Sequence, residues 1–241
     1  MQKKEKKGAA HIEMILSFVI FISFLIFVFA FINPVKRTEP SRALLEIAEQ
    51  EIIKNSSINI TTVSLKLNYT PAAPCFNIDL LELGIDGIIG GNNIIARNST
   101  DNATGSRKTN SGLDIETSGD FYRIFASEDF NNALYNPALC VAIRKDNITI
   151  GQVTTAKTMS FKKLEMFSQA YAQDYNSLKK NINFPGRNDF GFILKDNLKN
   201  VILNASKEKP KSAIVIAKEQ PVEIVYEDSS SIVAVLNIQA W

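Results

Sequence analysis

Side chains able to do covalent or acid–base chemistry are scarce in this 241-residue chain, which holds one histidine, His11, and two cysteines, Cys75 and Cys140. A single imidazole cannot build a multi-histidine metal site, and its place near the N-terminus excludes a Ser-His-Asp or Cys-His pair in the rest of the chain. The cysteines are not in C-x-x-C spacing. His11-Ile12-Glu13 matches part of a zinc deaminase motif, but no Pro-Cys-x-x-Cys follows it. Asp189-Phe190-Gly191 matches a kinase triplet without the glycine-rich loop or His-Arg-Asp that would give it a role. Gly84, Gly87, Gly90 and Gly91 fit neither G-x-G-x-x-G nor a P-loop. Asp79, Glu82 and Asp86 have the oxygens for a calcium ion, yet solvated strand ends account for them better. The expectation is no catalytic residue, no metal and no cofactor.

Two kinds of modification remain open. Cys75 and Cys140 would close a long loop if they pair, or lie as two separate buried thiols if they do not. Asn-x-Ser/Thr sequons stand at Asn55, Asn59, Asn68, Asn98, Asn102, Asn147 and Asn204. Each is a possible N-glycosylation site or an unmodified surface loop.

The elements that must position these groups begin with an apolar run. From Met14 to Ile32 no residue is charged and the only hydroxyls are Ser17 and Ser23. As a helix this run is about 28 Å long, the thickness of a hydrocarbon core. A membrane-spanning helix over 9–33 is therefore expected. Lys3, Lys4, Lys6 and Lys7 before it predict a cytoplasmic N-terminus, a single pass and an outer domain over 34–241. Taking those lysines and Glu5 out of 27 basic and 25 acidic residues leaves a net charge near zero. No basic field remains to hold nucleic acid.

Beyond the run, Pro34 marks a break. A second helix is read over 39–54, capped by Thr38, and alternation predicts a strand over 59–69. The glycines of 75–96 suggest short strands with turns, and 98–112 reads as an exposed loop. A strand follows at 121–125 and a hairpin at 141–155 around Asp146-Asn147. A third helix over 161–181 carries a stripe of Leu164, Phe167, Tyr171, Tyr175, Leu178 and Ile182. Strand-like runs close the chain at 190–194, 213–218, 221–226 and 232–241. The order helix, strands, helix, strands gives an α+β fold: a long transmembrane helix, then a β-rich outer domain with one or two packed helices.

Lys6-Lys7-Gly8-Ala9-Ala10-His11-Ile12-Glu13, followed by the apolar run, resembles the class III signal segment of type IV prepilins and their archaeal relatives. The resemblance implies a basic leader over 1–8 and cleavage between Gly8 and Ala9 by a prepilin peptidase. It also implies a transmembrane and assembly helix over 9–33 in which Glu13, fifth in the mature chain, neutralises the new α-ammonium of Ala9 on a neighbouring subunit. A carboxylate at the edge of hydrocarbon needs such a partner. Residues 34–241 resemble the outer part of archaeal pilin-like proteins more loosely.

The expected function is thus a structural, non-enzymatic pilin-like subunit of a filament or pseudopilus at the cell surface. Its expected partners are membrane lipid, the prepilin peptidase and other pilin subunits, with no nucleic acid. The alternative is a singly anchored surface protein that does not polymerise and binds a ligand through its outer domain.

Overall fold

The computed structural model describes residues 6–32, 40–89, 93–110, 112–131, 135–137, 139–211 and 213–241. Most of the basic leader, the break at Pro34 and the cap at Thr38 fall outside the described residues, as do Gly90 and Gly91. The chain divides into two compact units, Met1–Ala43 and Leu44–Trp241.

The first unit is built on helix α1, Lys6–Ile32. It is apolar on every side rather than on one stripe, a pattern that calls for burial all round. Its described side chains run from Glu13 to Phe27, about 22 Å of helix at ~1.5 Å per residue. The expected membrane anchor is corrected here: among the described residues no helix is long and apolar enough to cross a membrane. The transmembrane helix, the single-pass topology and the surface localisation derived from it fall with that finding.

The second unit begins within helix α2, Pro40–Ser56, and continues with strands β1, Ser57–Leu67, and β2, Cys75–Asp79. Next come a short helix α3, Asp86–Ile89, then β3, Asn93–Asn98, β4, Ala103–Thr104, β5, Ser106–Lys108, β6, Gly112–Glu116, and β7, Phe121–Ser127. Strand β8, Val141–Ile143, and a 3-10 turn, Lys145–Asn147, lead into β9, Ile148–Ser160. Helices α4, Phe161–Gln173, and α5, Tyr175–Asn181, precede β10, Phe190–Lys195, β11, Val201–Ala205, β12, Ile216–Val225, and β13, Ser231–Ala240.

Nine strands form one curled sheet in the order β11-β10-β13-β12-β9-β1-β7-β3-β4, and four form a second, β5-β6-β2-β8. The expected α+β class is also corrected. The protein is mixed α/β and dominated by strands, 42% against 28% helix. The alternation signal in the sequence is interrupted by turns too short to read as breaks. The expected loop over 98–112 contains β4 and β5, with Thr104 and Ser106 buried. The expected hairpin over 141–155 is absent: β8 pairs with β2 in the small sheet, while β9 pairs with β1 in the large one. The single helix expected over 161–181 breaks at Asp174. That residue closes α4 through its backbone N–H to Ala170 O and opens α5 by accepting from Ser177 N.

The large sheet buries both faces. In β1, Ile58 and Ile60 point one way, while Thr61, Val63, Leu65 and Leu67 point the other. The first pair packs with Ile95, Phe130 and Val225. The second set packs with Phe76, Ile78, Leu113, Tyr122 and Ile124, under the small sheet. Partnered residues share a face, and Ser57 pairs with Met159, which pairs with Ile224. The core of β10–β13 with α2, α4 and α5 therefore lies on the same face as the small-sheet core.

Candidate assembly surface

Gly8 and Ala9 lie in the first turns of α1. A peptidase takes an extended backbone, so cleavage there requires the helix end to fray, which terminal turns do readily. Glu13 is exposed at the head of the apolar stretch. Beyond it Met14, Ile15, Leu16, Phe18, Val19, Ile20, Phe21, Ile22, Phe24 and Ile26 are exposed, from 37% at Ile22 to 73% at Met14. Full burial of each such side chain is worth about 1.5–3 kcal/mol. Contiguous exposed apolar surface is a candidate for association with another surface.

Cys75 and Cys140 form a disulfide with Cα atoms 4.7 Å apart. Its placement follows from strand pairing. Strands β2 and β8 run parallel with Phe76 opposite Val141, so one step back along both strands sets Cys75 opposite Cys140. Cys75 itself is fully buried.

The sequons do not gather at one place. Asn55, next to last in α2, is exposed, with its amide donating to Glu51 O at 2.7 Å. Asn59 on β1 and Asn204 on β11 are exposed. Asn68 donates to Asp146 O at 3.0 Å, and its N–H meets the carbonyl of Asn147, so those two sequons are neighbours. Asn98 and Asn102 share one turn in which Asn98 Oδ1 accepts from Thr100 N, Thr100 Oγ1 and Asn102 N.

The motifs set aside in the sequence have structural roles. Asp79 Oδ1 accepts from Leu81 N and Glu82 N and so caps a turn. Among the described residues no group of three or more acidic, cysteine or histidine side chains could hold a metal ion. Gly191 is required by packing: a Cβ there would lie 2.9 Å from Ala205 O and 3.2 Å from Ser206 Cα.

One polar centre carries no sequence signal. Lys179, buried at the end of α5, donates to Gly186 O, Asn188 O and Asp189 Oδ1. Its ammonium also lies 5.4 Å from the ring centre of Tyr175 and 5.9 Å from that of Phe184. Tyr171 Oη donates to Phe190 O at 2.6 Å, and Tyr175 Oη accepts from Phe190 N at 3.0 Å. Burial pushes the Tyr171 phenol up to about 12 and raises that of Tyr175 further. This cage fixes the α5–β10 connection. Its members come from α4, α5, the 182–189 segment and β10, so only the fold brings them together.

No family model, curated protein or solved structure matches this chain.

Proposed function

We propose that this chain is a pilin-like structural subunit, processed between Gly8 and Ala9 by a prepilin peptidase and assembled with other subunits into a filament through α1. The observation that carries the reading is the exposed apolar surface of α1, with Glu13 at its head. Helices that are apolar on all sides pack against like helices when no other cover is at hand. A free α-ammonium at Ala9 on one subunit would then neutralise Glu13 of the next.

N-terminal sequencing of the mature protein tests the processing step. A chain that starts at Ala9 supports it, and one that starts at Met1 or beyond Pro34 refutes it. Glu13→Ala tests assembly: the variant is expected to accumulate as folded subunit and to lose filament incorporation. Incorporation at the wild-type level would remove Glu13 from the assembly contact.

A further inference from the structure

Strand β9 is fifth of nine in its sheet, yet among the described residues most of one edge is unpaired. On one side it pairs with β1 along nearly its whole length. On the other it pairs with β12 at only two positions, Met159 with Ile224 and Ser160 with Val225. Before that junction the two strands part, and every residue from Gly151 to Lys157 is exposed. A row of main-chain N–H and C=O groups therefore faces an opening in the middle of the sheet.

The two sides of this opening differ. The β12 side is blunted by Pro221, which has no N–H to offer, and by Lys218, Glu219 and Glu223. Such residues are how sheets keep an edge from being extended. The β9 side has no proline, and from Ile148 to Ala156 it has no charge. Its residues Val153, Thr154 and Thr155 favour the extended state. A groove of about 470 Å³ runs beside it, with Lys157 on one wall and Glu46, Glu49, Gln50, Ile53 and Lys54 of α2 on the other. Glu49 is held by Lys218 and Lys54 pairs with Glu51. Among the described residues Lys157 has no ion pair, which leaves its ammonium available to an incoming carboxylate.

We infer that the free edge of β9 is a docking site for an extended peptide segment of a partner protein, which adds a strand at Gly151–Lys157 and carries an acidic side chain opposite Lys157. Main-chain hydrogen bonds would supply affinity, as in strand addition generally. Lys157 and the apolar Ile53 would select the incoming side chains. This site is separate from α1 and stands whether or not α1 assembles filaments.

The test uses the full chain in mild detergent and a capped nonapeptide of alternating Thr and Val with Glu at its centre; a second peptide has Lys at that position. The Glu peptide is expected to bind and to slow amide exchange within 151–157. The Lys peptide should bind about tenfold more weakly, the scale of reversing a cross-strand charge pair. Lys157 is exposed, so Lys157→Glu should fold normally and invert the preference. Absence of binding, protection elsewhere than 151–157, or an unchanged preference in Lys157→Glu overturns the inference. Protection of 151–157 that rises with chain concentration without peptide also overturns it, by making a second copy the occupant.

Discussion

Breaking the Cys75–Cys140 bond is the perturbation whose size follows most directly from the fold. The two residues are 65 positions apart. In the chain-entropy form, closing a loop of that length costs the unfolded chain about 14–15 cal/mol/K, or about 4 kcal/mol at 25 °C. For a chain of this size each kcal/mol moves the midpoint by about 2–4 °C, so the expected fall in Tm is about 8–16 °C. The loss has a location as well. Strand β8 pairs with β2 over only three positions, Phe76–Val141 to Ile78–Ile143, and lies at the margin of the small sheet. Without the bond its amides should exchange first, while those of β1 and β7 remain protected. Two routes separate the cross-link from side-chain packing. Reduction with a phosphine keeps both sulfurs, whereas Cys75→Ala with Cys140→Ala also removes a buried sulfur at position 75. Both should lose most of the 4 kcal/mol, the alanine pair somewhat more. Unfolding free energies of the reduced and oxidised protein, extrapolated from urea, that agree within about 0.5 kcal/mol at about equal m-values would refute the reasoning. They would mean that the loop is already closed by residual structure in the unfolded chain.

Three further outcomes are expected. Lys179→Met keeps the stem but leaves the Gly186 and Asn188 carbonyls and Asp189 without their donor, and should cost about 2–4 kcal/mol in urea unfolding. The Tyr171 and Tyr175 phenols are raised by burial, so the native protein holds their protons above the unfolded value of about 10. Their contribution is complete below that pH and is lost as pH rises. In absorbance titration the Tyr171 phenol should ionise only near pH 12 or on unfolding, and Tyr175 later still. The Asp174 carboxylate is held below its usual value by the Ser177 hydroxyl and amide. Its contribution is present above about pH 3.9 and lost as pH falls below it, so Asp174→Ala should flatten the acid limb of the stability curve.

How much of this was legible in the sequence depended on the range of the signal. The stripe from Leu164 to Ile182 is a local period and its members are all buried. The break at Asp174 could have been found too, since an Asp three residues before Ser177 is a cap signal. Strand existence was readable where β-branched or Leu residues alternate with polar ones, as in β1. Pairing was not, because it joins residues far apart: β9 to β1 across 81 to 102 positions, and β2 to β8 across 65. The misread loop over 98–112 shows the same limit. Its Ser, Thr and Asn residues look solvated, but Ser106 Oγ donates to Ile94 O and accepts from Ala96 N inside the fold. The class III resemblance rested on Gly8 and Glu13, whose proposed roles depend on cleavage and on a neighbouring subunit.

The opening beside β9 has a cause in the sheet itself. Neighbouring strands rotate by about 20–25°, so a nine-stranded sheet cannot stay regularly paired while both of its large cores remain on one face. Relief is found at two places on the same strand. Between Ile150 and Val153 strand β9 carries one residue more than β1 does opposite Ser64, and a Cβ at Gly151 would lie only 3.3 Å from the Ser64 Cβ, so a glycine eases the bulge there. Beyond it, β9 and β12 stay together only at Met159–Ser160, where the core under α4 begins. The segment between the bulge and the junction belongs fully to neither core. Its side chains are exposed because the sheet turns there, and its edge is free for the same reason. An added strand would therefore meet a backbone already shaped by the fold, with no native pair among the described residues to displace.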